Sequence, residues 1–199
     1  MTQTVTPSTA THHPAFAQRG RFAAMDASTR EEWMTIVTES LEHQSRVADS
    51  VLAMLQSLSG IVDGFAVDQL THSLQTATRA EEAGADREMV VASLCHDVGK
   101  AVSVANHPHI AAEILRPYVR DEVYSVISVH QDFQGRHYYE HLGMDPEARE
   151  QFRGEPWFAL AERFADDWDQ TSFDPDYPTQ PLSHFEPMVR EVLASPNRL

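Results

Sequence analysis

Apolar side chains recur at helical spacing along most of the chain after residue 28. Ser28-Thr29-Arg30-Glu31 reads as a capping box, with Glu31 three residues after Ser28. Trp33, Ile36, Val37 and Leu41 follow, then Val47, Val51, Leu52, Leu55 and Leu58, up to a stop at Gly60. The spacing predicts one long helix or two short ones over residues 29–58. A helix over about 67–83 would turn Val67, Leu70, Thr71, Leu74, Ala77 and Ala80 inward. Residues 83–86 end it and cap the next, 87–96, whose stretch 89–95 is apolar enough to be buried. Further helices are predicted over 108–116, from Asp121 onward with Val123, Ile127 and His130 one turn apart, over 155–169, and over 183–194. Residues 131–154 are polar and aromatic and read as irregular, with one short helix. Strand signals are nearly absent, so the fold class is all-α.

Residues 1–26 are rich in Thr, Ser, Pro, Ala and Gln without periodicity and read as a mobile tail, in which His12 and His13 are incidental. Residues 27–60 form a helical extension leading into the first domain helix, and 61–199 the domain itself. The net charge of −15 argues against nucleic acid as a partner, because phosphate backbones need a basic footprint. A small anionic substrate remains compatible with it if bound metal supplies local positive charge. Cys95 is the single cysteine, which argues against an internal disulfide and a thiolate zinc site. No apolar run approaches the length of a membrane span, and the N-terminus has no secretory pattern. A soluble cytoplasmic protein with no membrane partner is expected.

The chemistry centres on Ser93-Leu94-Cys95-His96-Asp97-Val98-Gly99-Lys100. A His-Asp pair near the end of a buried helix is costly unless it pairs or binds metal. Adjacent side chains on a helix point about 100° apart. The pair therefore suits two metals, with the carboxylate bridging and the imidazole holding one. Lys100 is the only lysine of the chain, three residues after Asp97. It reads either as a point charge that attracts an anion or as a surface salt bridge. Candidate ligands come from five helical segments: His72, His96 with Asp97, His107, His130 and Asp169. Imidazole and carboxylate without thiolate suit iron, manganese or zinc. His43 reads as a surface residue.

His72 … His96-Asp97 … Asp169 resembles the signature of the HD-domain superfamily, which implies a helical bundle. His107-Pro108-x-x-Ala111-Ala112-Glu113-Ile114-Leu115 and His130-x-x-Phe133-Gln134-Gly135 resemble its dinuclear branch. Trp168-Asp169-Gln170-x-Ser172-Phe173-Asp174-Pro175-x-Tyr177, with Pro181-Leu182-x-x-Phe185-Glu186-Pro187, resembles the mixed-valent diiron oxygenases of the 2-amino-1-hydroxyethylphosphonate dioxygenase type. The resemblance covers about residues 47–195. It implies two irons, Fe(II) and Fe(III), with O2 as co-substrate. One iron would take His72, His96, Asp97 and Asp169, and the other His107, His130 and the bridging Asp97. His109 rivals His107, and the spacing of the family motif favours His107. His137 and His141 lie outside the pattern and read as pocket lining or surface.

By the same resemblance the reaction would oxidise the carbon bearing phosphorus in a small hydroxylated phosphonate and cleave its C–P bond. Asp97 and Lys100 would serve catalysis. Lys100, Gln134, Phe65 and Tyr138 would meet the substrate, Gln134 either bonding it or fixing its own loop. Family members acting on the aminoethyl substrate carry Tyr-x-Gly-Glu before the first ligand histidine. Here that place holds Val62-Asp63-Gly64-Phe65, and neither Val62 nor Phe65 can ligate iron or pair with an ammonium as a carboxylate does. Phe65 with Tyr138, Tyr139 or Trp168 could favour a methylated ammonium through cation–π contact, or these rings could be core, the better reading for Trp168. Two other functions fit the ligand set: a metal-dependent phosphohydrolase acting on a phosphate monoester or nucleotide, and a degenerate module that binds without turnover.

Overall fold

A computed structural model describes residues 20–44 and 46–197. Residues 1–19, which hold His12, His13 and most of the expected tail, lie outside the described residues. The described residues form eight α-helices and no strand, an all-α fold. Among them no helix is long and apolar enough to cross a membrane. The chain parts into two compact units, residues 1–45 and 46–199.

The first unit contains a 3-10 turn at Met25–Ala27 and helix α1, Arg30–Gln44. Its capping box is shifted one residue from the expected Ser28/Glu31. Thr29 N–H donates to Glu32 Oε2 at 2.9 Å, and Glu32 N–H donates back to Thr29 Oγ1 at 3.3 Å. The helix begins at Arg30, so Thr29 is the capping residue and Glu32 the third helical position. Ser28 is engaged elsewhere, accepting Trp33 Nε1–H at 2.6 Å. His43 is exposed.

The second unit holds α2 (Val47–Ser57), α3 (Gln69–Glu82), α4 (Arg87–Cys95), α5 (His107–Leu115), α6 (Asp121–Gln134), α7 (Phe158–Arg163) and α8 (Leu182–Val192). Helix α2, placed in the N-terminal extension by the sequence pattern, sends Val51, Leu52 and Leu55 into this unit's core. The reason is its apolar stripe, which has no other core to enter. Helix α4 runs through the middle, with residues 89–95 all buried. The α3–α4 connection is a Schellman turn: Ala85 N–H bonds Ala80 O and Gly84 N–H bonds Glu81 O, with Gly84 at φ 75°. Asp68 and Asp86 cap α3 and α4 through Thr71 and Met89 N–H.

Helix α3 departs from the expected pattern. Leu70, Thr71 and Leu74 are only half-buried, while Gln69, His72, Ser73, Gln75, Thr76 and Thr78 are buried. This face meets the polar C-terminal segment rather than an apolar layer. The Gln75 amide donates to Asp174 O at 2.6 Å and accepts Asp174 N–H at 3.3 Å. Thr78 Oγ1 accepts Gln180 N–H at 3.1 Å, and Arg79 donates to Thr171 O at 3.1 Å. His72, Gln75, Thr76 and Thr78 each find a backbone partner for the side chain, which offsets their burial.

Residues 135–152 form three 3-10 segments rather than one short helix. Helix α7 starts at Phe158, three residues later than expected, and changes at Phe164–Asp169 into a π-helix. Helix α8 closes the core through the fully buried Phe185 and Val189. Phe185→Ala removes a whole buried ring and should cost about 3–5 kcal/mol, read as a lower denaturation midpoint in urea. A change under about 1 kcal/mol would show that α8 is not part of the cooperative core.

Candidate metal centre

Six side chains from the five segments converge. His72 stands on α3, His96 caps the C-terminus of α4, and Asp97 follows it. His107 opens α5, His130 lies on α6, and Asp169 ends the π-helix. All six are buried, none more than 5% exposed. Their acidic and imidazole atoms fall into two groups joined by Asp97. In the first, Asp169 Oδ1 lies 3.1 Å from His72 Nε2 and 3.4 Å from His96 Nε2. Asp97 Oδ2 lies 3.5 and 3.4 Å from the same two nitrogens, which are 3.1 Å apart. In the second, Asp97 Oδ1 lies 3.1 Å from His107 Nε2 and 3.5 Å from His130 Nε2.

The orientation of each ring is fixed from behind. Nδ1–H donates to Ser172 O in His72, Ser93 O in His96, Val104 O in His107 and Ile127 O in His130, all at 2.7–2.8 Å. Each Nε2 therefore faces the centre, where it can give a lone pair to a cation or hold a proton. Four such nitrogens and two carboxylates make a site of acceptors. Asp97 Oδ1 and Asp169 Oδ2 are buried without a hydrogen bond, which is unfavourable unless a cation or a proton joins them. An ion about 2.1 Å from its donors spaces them about 3.0 Å apart in an octahedron and about 3.4 Å in a tetrahedron. The observed spacings of 3.1–3.5 Å lie in that range or within 0.1 Å of it. His72, His96 and Asp169 could hold one ion, and His96, Asp97 and His130 also form a metal-competent group.

The electrostatics follow. Burial pushes His96 down, but the charges of Asp97 and Asp169 outweigh it and push it up to about 10. Burial works to raise Asp97 and Asp169, yet His96 and the other imidazoles hold both below the usual carboxylate range. At His130 burial prevails and pushes the imidazole down. A proton at His96 and a metal ion thus compete for the same nitrogen.

Local backbone makes the convergence possible. A methyl group on Gly99 would meet the His107 carbonyl and lie 2.7 Å from His107 Cα, so only glycine lets α5 start against the His-Asp turn. His107 consequently faces Asp97, while its rival His109 is exposed. In the π-helix the ladder runs i→i−5, as in Gln170 N–H to Ala165 O at 3.1 Å. Phe164, Ala165, Trp168 and Asp169 are all turned inward by it.

A cleft of about 760 Å³ opens beside the centre, lined among others by Phe65, Lys100, His107, Gln134 and Tyr138. Lys100 is not the surface salt bridge of one sequence reading. Its side chain is 14% exposed, and its ammonium lies 2.6 Å from Asp97 Oδ2 and 2.9 Å from Gln69 Oε1. Gln134 donates to Asp169 Oδ1 at 3.0 Å. Phe65 stacks on Phe173, and Phe173 on His72, at 4.7 and 4.2 Å between centroids. Phe173 belongs to the Trp168–Tyr177 motif, but no local signal marks it as a wall of the site. Tyr138 lines the cleft, whereas Tyr139 and Trp168 are buried. His137 also lines the cleft, and His141 is exposed.

The HD domain family model matches residues 70–174, more than half of the chain. The chain belongs to the HD domain family. HD domains are typically metal-dependent enzymes, and the His and Asp groups here could hold metal. No curated protein matches the chain at a significant level.

Two predictions concern the centre. In the metal-free HD domain, the raised His96 contributes stability that is complete below its ordinary value of 6.5 and is lost as pH rises through about 10. Its melting temperature should therefore fall across that window, and metal should remove the slope by occupying the nitrogen. Thermal unfolding with and without a chelator measures this, and a flat metal-free profile would contradict it. Gly99→Ala should push His107 away from Asp97 and lower bound metal toward half the parent's value, read by elemental analysis at unchanged helix content.

Proposed function

We propose that this protein is a diiron oxygenase that uses O2 to oxidise a small hydroxylated organophosphonate and cleave its C–P bond. The observation that carries the proposal is the sharing of Asp97 between two groups of imidazole nitrogens, with Oδ2 toward His72 and His96 and Oδ1 toward His107 and His130. Donors of nitrogen and oxygen alone, with the only thiol, Cys95, buried and pushed up to about 12, suit iron. His72, His96, Asp97 and Asp169 would hold one ion, and His107, His130 and Asp97 the other. An Fe(II)/Fe(III) pair would supply activation of dioxygen beside the substrate carbon.

The chain's own residues bind and orient. Lys100 brings the positive charge that an anionic phosphonate needs in a chain of net charge −15. Gln134 holds Asp169 in place through its amide. The Phe65–Phe173 stack covers one flank of His72 and limits access of water to that side. Tyr138 adds an apolar face with a polar tip, and burial raises its hydroxyl above its ordinary value.

A second reading is a metal-dependent phosphohydrolase acting on a phosphate monoester or nucleotide. It is favoured by membership of the HD family and by a cation, Lys100, beside a centre that could hold two ions.

One experiment separates the two. Iron-loaded, partly oxidised protein should give the paramagnetic resonance signal of a coupled Fe(II)/Fe(III) pair. That signal should change on addition of 1-hydroxyalkylphosphonates, with O2 consumed and phosphate released. Asp97→Ala should lose both irons and the signal together. Phosphate released from monoesters without O2, or two irons retained in the Asp97 variant, would overturn the proposal.

A further inference from the structure

The polar side chains around the cleft are nearly all engaged. Lys100 is on Asp97 and Gln69, Gln134 on Asp169, and Gln170 on the Asp166 carbonyl. Gln131 pairs with Tyr138. His137 is different. Its Nε2 lies 2.8 Å from Asp166 Oδ1, and a carboxylate there can only accept, so Nε2 carries the proton. Among the described residues no protein group bonds its Nδ1.

The brace behind His137 is itself built. Asp166 takes Arg149 Nη1 on both oxygens, at 2.9 and 3.1 Å. Arg149 is a buried arginine whose second partner is Glu162, at 3.6 Å. Burying an arginine is expensive, and here it balances the charge of the carboxylate that aims a cleft histidine. Asp166 stands on the same π-helix as Asp169, so one backbone segment positions both the metal centre and this brace. Asp63, the carboxylate of the cleft lining, has no such support and lies on an exposed turn.

We propose that His137 is a specificity-determining residue: its Nδ1 accepts a hydrogen bond from an O–H or N–H donor that the substrate carries in addition to its anionic group, and Asp166 and Arg149 are its positioning residues. The inference rests on the proposed function for the existence of a metal-bound anionic substrate. It narrows that class to molecules with a second, donor-bearing carbon.

The test uses two probes that differ by one hydroxyl, 1,2-dihydroxyethylphosphonate and 1-hydroxyethylphosphonate. Their binding to the anaerobic iron-loaded protein is measured by calorimetry, with iron content recorded for every variant. The parent should favour the diol by about tenfold, the worth of one well-formed hydrogen bond. His137→Ala and Asp166→Ala should each abolish the preference, and combining them should do no more. His137→Asn, whose amide oxygen can stand near the Nδ1 position, should restore part of it. Iron content should be that of the parent throughout. Equal affinity of the parent for both probes, or a preference that survives His137→Ala, each with iron fully bound, overturns this proposal alone; no binding of either probe overturns it together with the proposed function. Failure of the parent to take up iron overturns it together with the proposed function.

Discussion

The structure depends on placing six electron-pair donors in one buried volume. Two carboxylates and four imidazole nitrogens at 3.1–3.5 Å repel one another unless positive charge, a proton at His96 or a cation, lies between them. Burial removes the water that would otherwise soften this. The fold must therefore hold the donors rigidly enough that they cannot relax outward. It does so with helices whose apolar faces are already committed to a shared core, with α4 at the centre.

Rigidity is supplied one residue at a time. Three imidazoles are aimed by their own backbone: His96, His107 and His130 each donate Nδ1–H to the carbonyl three residues earlier. The fourth, His72, leans on Ser172, a hundred residues away. The C-terminal segment that provides this carbonyl is clamped by the polar face of α3, through Gln75, Thr78 and Arg79. The same segment carries Phe173 against the His72 ring. Loss of the clamp would free a ligand and open a wall of the cleft together.

The π-helix couples the centre to the cleft. Widening the turn over residues 164–169 turns Asp169 inward beside Phe164, Ala165 and Trp168, while Asp166 remains free to meet Arg149 and His137. A regular α-helix would rotate these positions relative to one another and disturb at least one of the two sets of contacts. Irregular helix here is structure in the service of the site, in keeping with where such turns are found.

The residues alone determined the helices, the all-α class and the types of donor. The apolar stretch 89–95 leading into His96-Asp97 marked a buried helix ending in chemistry, and the periodicity located α5, α6 and the inward position of His130. These features are set within one or two helical turns, by spacing and by backbone groups three or four residues away. What only tertiary structure decided is set by contacts between distant segments. The polar inner face of α3 could not be read, because its partners are backbone groups of residues 171–180. The inward turn of His107 rather than His109 depends on α5 packing against the bare Cα of Gly99. The π-register, the Phe173 wall and the brace behind His137 have no local pattern, since a side chain's neighbours across the fold leave no period in its own sequence.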